Sequence, residues 1–205
     1  MKAILIGGTH SFGREDWHDE NSPFARDVLA PAGIEVVAPD GRPYLWSGAL
    51  DGVIGSNTKW ESAGYHLLAY AVPPLAPEHR IPSAELIVIA HSHAGQAAAY
   101  AFAYGLKGTL VTIGTPVRKD MQPVWGDAHR NISRHLHLYS KRDWWQLFGA
   151  IGDGVLGILR TFPEPTRNDE MPKGHGDVLR DVALFPLWQE RGWVAFIRGG
   201  TAAAV

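Results

Sequence analysis

Cysteine is absent from this chain of 205 residues. Its absence excludes a disulfide framework, a metal site built from thiolates and a cysteine nucleophile, so nucleophilic catalysis would have to use serine, aspartate or lysine. The chain also has no apolar run approaching about 18 residues, the length that a transmembrane helix needs. We therefore expect no integral membrane segment.

A strong excess of one charge is missing as well. Lysine and arginine total 19 against 21 aspartate and glutamate residues, for a net charge of −2. This balance gives no global electrostatic reason to bind nucleic acid or an anionic membrane, so we expect neither as a partner. The sequence predicts no particular oligomeric state.

The patterns that are present predict one α/β domain spanning residues 1–205. Five short runs rich in valine, isoleucine and leucine indicate strands at residues 3–6, 34–38, 86–90, 108–113 and 135–139. Segments of helical character lie at residues 22–32, 62–70, 95–105 and 183–193. Strands that alternate with helices predict a mostly parallel sheet flanked by helices. Because the first strand starts at Lys2 or Ala3, we expect no secretory or transit peptide and a cytoplasmic protein.

Two long segments lack a regular pattern, at about residues 40–60 and 144–174. Long irregular loops in compact domains are usually functional or mobile, so we interpret both as the rim of a substrate site, the second as a small cap. Ordinary surface loops are the alternative. Tryptophans in these segments, Trp46, Trp144 and Trp145, are candidates for lining a substrate pocket, although tryptophan is more often a core residue.

The most informative motif lies where the apolar run 86–90 breaks into His91, Ser92 and His93. A serine on a sharp turn from strand to helix needs small residues two positions before and after it, and Ala90 and Ala94 supply them. An alanine-rich helical segment follows. Ser92 is therefore a candidate nucleophile, and a serine that merely caps the following helix is the alternative.

This motif resembles the nucleophile elbow of the α/β-hydrolase family, with alanine in place of both flanking glycines. The resemblance covers the chain from Gly7 to His175 and is to compact lipases and esterases with little or no cap. It departs from the family in two further respects, because the leading antiparallel hairpin is missing and no convincing strand precedes His175. It implies that a serine, an acid and a histidine follow in that order along the chain.

On this resemblance Asp143 is the candidate acid, because it follows the predicted strand at 135–139. Asp120, after the preceding strand, is the rival, and Asp127 and Asp153 are weaker candidates. A turn residue paired with a neighbouring cation is the alternative for Asp143. The candidate base is His175, since it alone among the ten histidines lies downstream of Asp143.

The resemblance also implies an oxyanion hole made of backbone N–H groups. His93, directly after the candidate nucleophile, would supply one, and Thr9 in the glycine-containing loop after the first strand would supply the other, with His10 as the alternative. A phosphate-binding reading of that loop fails because the spacing of a nucleotide motif is absent.

The implied activity is hydrolysis of small carboxylic esters without a cofactor. Amide hydrolysis, acyl transfer and a non-catalytic binding module are the alternatives. The pairs His91/His93 and His135/His137 each have the spacing of half a metal site, but no further ligand motif accompanies them, so we predict no metal.

Overall fold

The computed structural model describes residues 1–8, 17–37, 57–72, 80–143 and 161–200. Within these ranges six strands form one sheet in the order β2-β1-β3-β4-β5-β6, and all five neighbouring pairs are parallel. The strands are β1 Lys2–Ile6, β2 Glu35–Val36, β3 Leu86–His91, β4 Gly108–Ile113, β5 Ile132–Tyr139 and β6 Arg167–Glu170. The predicted α/β class with a parallel sheet is confirmed.

The two central strands show why the sequence folds this way. Every residue of β3 and β4 is buried, as expected for strands covered by helices on both faces. β3 is apolar up to its last residue, His91, whereas β4 carries two buried threonines, Thr109 and Thr112. The edge strand β6 differs, because its sequence is Arg-Asn-Asp-Glu and none of its residues is fully buried. It lies inside the segment 144–174 that we predicted to be irregular, so that prediction is wrong at β6. An edge strand needs no apolar run.

Six α-helices accompany the strands in the described part of the chain: α1 Asn57–Ala71, α2 Ala94–Ala103, α3 Gln122–His129, α4 Asp177–Arg180, α5 Leu187–Glu190 and α6 Trp193–Ile197. The predicted segment of helical character at 183–193 is helical but divided, because Pro186 and the left-handed Gly192 interrupt it. α3 was not predicted. No helix within the described ranges has both the length and the apolar character needed to cross a membrane.

The predicted helix at 22–32 is a short π-helical turn, Ala25–Leu29, followed by a 3₁₀ turn, Ala30–Ala32. The side chain of Ser22 accepts a hydrogen bond from the Ala25 N–H at 3.1 Å, so it caps the segment at its amino end. Gly33 ends it with φ of +69°, a conformation that suits glycine.

The sheet separates two hydrophobic clusters. Ile4, Ile6 and Val88 contribute to the cluster that contains residues of α1, α2 and α3. The residues that alternate with these along the strands, such as Leu5 and Ile87, belong to the second cluster. That cluster also contains residues of the 17–34 segment and of α4 to α6. This alternation follows from the period of two in a strand. The fold is therefore a sheet covered on both faces, with the carboxyl ends of its strands along one edge.

The contact between α1 and α2 is so close that it depends on Gly64. A Cβ added there would lie 2.5 Å from the Tyr100 Cβ and 2.7 Å from the Ala97 carbonyl oxygen. We expect Gly64→Ala to lower the free energy of unfolding by about 1–3 kcal/mol, because the helices must separate. Gly126 in α3 is the matched control, since a Cβ there meets nothing within 4 Å.

Gly126→Ala should raise the free energy of unfolding by roughly 0.5–1 kcal/mol, because alanine loses less backbone entropy in a helix. Urea denaturation of both variants measures the two effects. Equal stability of Gly64→Ala and the unchanged protein would contradict the packing described for α1 and α2.

Candidate active site

Ser92 occupies a strained turn between β3, which ends at His91, and α2, which begins at Ala94. Its φ is +57°, and it is the one non-glycine residue in the described ranges with a positive φ. A side chain in this left-handed region costs about 1–3 kcal/mol and persists only where surrounding contacts impose it. Such strain concentrates at functional sites and turns the serine side chain out of the backbone path.

Neighbouring strands hold this turn in place. The Ser92 N–H donates to the Ile113 carbonyl at 2.8 Å, and the Ser92 carbonyl accepts from the Thr115 hydroxyl at 2.8 Å and from the Gly95 N–H at 3.1 Å. A Cβ at Gly95 would lie 2.3 Å from the Thr115 Oγ1. The end of β4 therefore fixes the elbow, and a glycine is required after Ala94.

The loop after β1 touches the elbow directly. A Cβ at Gly8 would lie 3.0 Å from the Ser92 Cβ and 3.1 Å from the His91 Nδ1. Glycine allows the backbone to come this near without displacing either side chain. Thr9 and His10, the predicted donors in this loop, lie outside the described residues.

Asp143 and His175 form a hydrogen-bonded pair. The Asp143 Oδ2 lies 2.6 Å from the His175 Nδ1. The Asp143 side chain is fully buried, whereas that of His175 is 20% exposed. A buried carboxylate that accepts the Nδ1 proton leaves Nε2 as the basic nitrogen of the imidazole. Because β6 precedes His175, the expectation that no strand leads to this histidine is wrong.

Gly114 places this pair next to the elbow. It follows Ile113, which binds the Ser92 N–H, and a Cβ on it would lie 2.9 Å from the His175 Nδ1 and 3.4 Å from the Asp143 Oδ2. Its φ of +60° suits glycine. Sequence reasoning missed Gly114 and Thr115, although a glycine directly after a buried strand signals such a turn.

The rival acid, Asp120, has a different partner. Its two carboxylate oxygens accept from the Arg118 Nε at 3.0 Å and Nη2 at 2.7 Å. The hydrogen bond from Arg118 lowers the pKa of Asp120. Asp127 forms an exposed ion pair with Arg130 at 2.9 Å. Asp153 lies outside the described residues. Asp143 is therefore the candidate that the structure brings to His175.

His91 and His93 lie on opposite sides of the sheet rather than facing a common metal. The His91 ring packs edge-on against Trp17. The His93 ring stacks on Trp60, with the ring centroids 5.9 Å apart. Trp17 and Trp60 belong to the two different clusters. Burial lowers the pKa of His93 to about 4, and the charge of His175 adds to this. Both rings are thus neutral at pH 7, since burial also lowers the pKa of His91 well below its ordinary value.

The second histidine pair does share one face. The Thr112 Oγ1 lies 2.9 Å from the His135 Nε2 and 2.8 Å from the His137 Nδ1. A hydroxyl can donate to one nitrogen and accept from the other, so this geometry is that of a buried hydrogen-bond network. Among the residues that the structure describes, no group of three or more histidine, aspartate or glutamate side chains is arranged to hold a metal ion.

The proposed pocket tryptophans, Trp46, Trp144 and Trp145, all lie outside the described residues. The five tryptophans within the described ranges are core residues, each with at most 2% of its surface exposed: Trp17, Trp60, Trp125, Trp188 and Trp193.

No protein-family model matches the chain, and no curated protein matches its sequence. Solved structures do match it. A predicted CIB-like hydrolase from Thermoplasma acidophilum superposes with a TM-score of 0.54 at 14% identity, over 97% of this chain and 86% of that one. An esterase from Pyrococcus furiosus superposes with a TM-score of 0.55 at 11% identity, over 97% and 82%.

The chain has the α/β-hydrolase fold. A third structure with this likeness is a dienelactone hydrolase-like promiscuous phosphotriesterase from metagenomic libraries, with a TM-score of 0.54, 13% identity and coverage of 96% of this chain and 86% of that one. In open α/β sheets ligands bind outside the carboxyl ends of the strands, and Ser92, Gly114 and Asp143 follow β3, β4 and β5 at that edge.

Proposed function

We propose that this protein is a serine hydrolase that cleaves carboxylic esters through an acyl-enzyme intermediate. The observation that carries the proposal is the left-handed Ser92 at the end of β3, beside the hydrogen-bonded pair of Asp143 and His175. A strained serine, a histidine and a carboxylate that orients the histidine are the parts that nucleophilic catalysis at an acyl group requires. The esterases and hydrolases of the same fold support this reading.

The proposed reaction begins when the Ser92 Oγ attacks the ester carbonyl while His175 accepts the hydroxyl proton at Nε2. Asp143 stabilises the resulting imidazolium through Nδ1. The imidazolium then protonates the departing alkoxide, which leaves as the alcohol, and the acyl group remains on Ser92. A water molecule, deprotonated by His175, attacks this acyl-enzyme and releases the carboxylic acid and the free serine.

Negative charge develops on the carbonyl oxygen in both steps. The N–H of His93 is the proposed donor on the helix side, because it lies at the amino end of α2, where the helix dipole also favours an anion. The N–H of Thr9, or alternatively of His10, is the proposed second donor, supported by the close approach of Gly8 to Ser92. Trp46, Trp144 and Trp145 remain the proposed pocket residues.

The test is hydrolysis of p-nitrophenyl acetate, butyrate and octanoate. We expect turnover above the buffer rate, lost in Ser92→Ala and retained in Ser83→Ala, a matched change at an exposed turn serine. The relative rates of the three esters rank acyl chain length. Equal turnover by Ser92→Ala, or no turnover of any ester, would overturn the proposed function and direct attention to amides, acyl transfer or a binding role.

A further inference from the structure

His91 is a buried histidine that the proposed chemistry does not use. It is the last residue of β3, directly before the candidate nucleophile, and 3% of its surface is exposed. Its ring centroid lies 4.6 Å from that of His175, with an angle of 53° between the planes. The two imidazoles thus pack against each other in a tilted arrangement.

The turn that carries His175 also packs on His91. A Cβ at Gly176 would lie 2.5 Å from the His91 Nε2 and 3.0 Å from its Cδ2. Gly176 has φ of +78°, so the backbone after His175 bends over the His91 ring in a conformation that favours glycine. Both His175 and the residue after it therefore pack on the same ring.

The other side of the ring faces the remaining parts of the site. A Cβ added at Gly8 would lie 3.1 Å from the His91 Nδ1. Trp17 packs edge-on against the His91 ring, with the ring centroids 6.1 Å apart. His91 thus separates the loop after β1 from the turn that carries the base. Loss of its ring would move the candidate base relative to the candidate nucleophile.

Burial keeps His91 neutral. It lowers the pKa of His91 well below the ordinary value, and electrostatic interactions with His175, Arg180 and His93 lower this pKa further. A neutral ring adds no charge beside the imidazolium that forms during catalysis.

We propose that His91 is a positioning residue, whose neutral ring is the surface against which His175 and Gly176 pack so that the base stays aligned with Ser92 and Asp143. The proposal rests on the proposed hydrolase function for its kinetic consequence, whereas its structural consequence is independent of any activity.

The kinetic test compares three variants. His91→Phe keeps a flat ring, His91→Asn keeps only a small planar amide, and His91→Ala removes the side chain beyond Cβ. We expect kcat to fall less than about threefold in His91→Phe and by about 10- to 100-fold in His91→Ala, with the asparagine variant between them, because misplacement of a catalytic group by about 1 Å can cost 100-fold. KM should change less than about twofold, since no substrate contact is lost. A kcat for His91→Ala within twofold of the unchanged protein would overturn the proposal.

The pH profile separates positioning from proton transfer. His91→Phe should keep the shape of the kcat/KM profile, because the pKa of His91 lies well below its ordinary value and phenylalanine does not titrate. A lost or displaced limb would show that His91 itself carries a catalytic proton, and would overturn a purely positioning role.

A spectroscopic measurement tests the same proposal without activity. The proton between the His175 Nδ1 and the Asp143 Oδ2 should give a far-downfield ¹H resonance, assigned by its loss in Asp143→Asn. We expect this resonance to persist in His91→Phe and to be lost through exchange with water in His91→Ala. If it persists equally in His91→Ala, the proposal fails, whether or not the protein hydrolyses esters.

Discussion

Asp143→Asn is expected to lower kcat for ester hydrolysis by about four orders of magnitude. The asparagine fits the buried position, but it can donate its N–H to the His175 Nδ1, which favours the tautomer that carries its proton on Nε2. That tautomer cannot accept the Ser92 proton. It would also leave the imidazolium of the transition state without a counter-charge in a buried site, where charges are poorly screened. Steady-state kinetics with the best p-nitrophenyl ester measures the loss.

The matched control is Asp120→Asn, which removes the rival carboxylate. Because Asp120 binds Arg118, we expect its variant to keep kcat within about threefold and to lose stability instead, since a buried guanidinium loses its charged partner. The opposite pattern, with Asp120→Asn inactive and Asp143→Asn active, would place the acid one strand earlier and contradict the assignment made from the 2.6 Å contact.

Acid is expected to unfold the protein steeply, because three histidines are held neutral in the fold. Burial lowers the pKa of His91 and His135 well below 6.5, and that of His93 to about 4. In the unfolded chain each takes up a proton near pH 6.5, so below that pH the unfolded state binds more protons and gains free energy. The contribution of these three histidines to stability is therefore fully present above about pH 6.5 and is lost as the pH drops.

The slope follows from proton linkage. Each histidine contributes a loss of about 1.4 kcal/mol per pH unit between its unfolded and its folded pKa, so three contribute at most about 4 kcal/mol per unit below the unfolded pKa. Against a typical total of about 5–15 kcal/mol, unfolding near pH 4 to 5 is expected. Urea denaturation at a series of pH values measures this dependence.

His135→Gln isolates one of the three protons. His135 is hydrogen-bonded to Thr112 and stacks on Trp125, and glutamine keeps a polar group there that cannot titrate. The variant should be less stable at pH 7. Below about pH 6 it should lose about 1.4 kcal/mol less unfolding free energy per pH unit than the unchanged protein. His66→Gln, at an exposed position of α1, should leave the slope unchanged. An unaltered slope in His135→Gln would show that this ring is charged in the folded protein.

The regular part of the fold could be predicted because its signals are local. The turn at Ser92 lies between the apolar run of β3 and an alanine-rich helix, so neighbouring residues alone indicate the junction. The pairing of Asp143 with His175 was anticipated only through the order of residues implied by the family resemblance. The spacing of 32 positions carries no geometric information by itself.

The parts that were missed depend on tertiary contacts. β6 is polar, and it forms because β5 offers an open edge with unpaired backbone groups, which no pattern in its own four residues reveals. His91 and His93 would face a common metal only if the alternation of a strand continued through the elbow. The turn at Ser92 breaks that alternation and sends the two rings to opposite faces.

The most direct test of the central claim is labelling with a fluorophosphonate, followed by intact-protein and peptide mass spectrometry. The account predicts one adduct per chain, located on Ser92, that forms slowly in Asp143→Asn and is absent from Ser92→Ala. An adduct that persists in Ser92→Ala, or a wild-type protein that takes up no label, would contradict the assignment of Ser92 as an activated nucleophile.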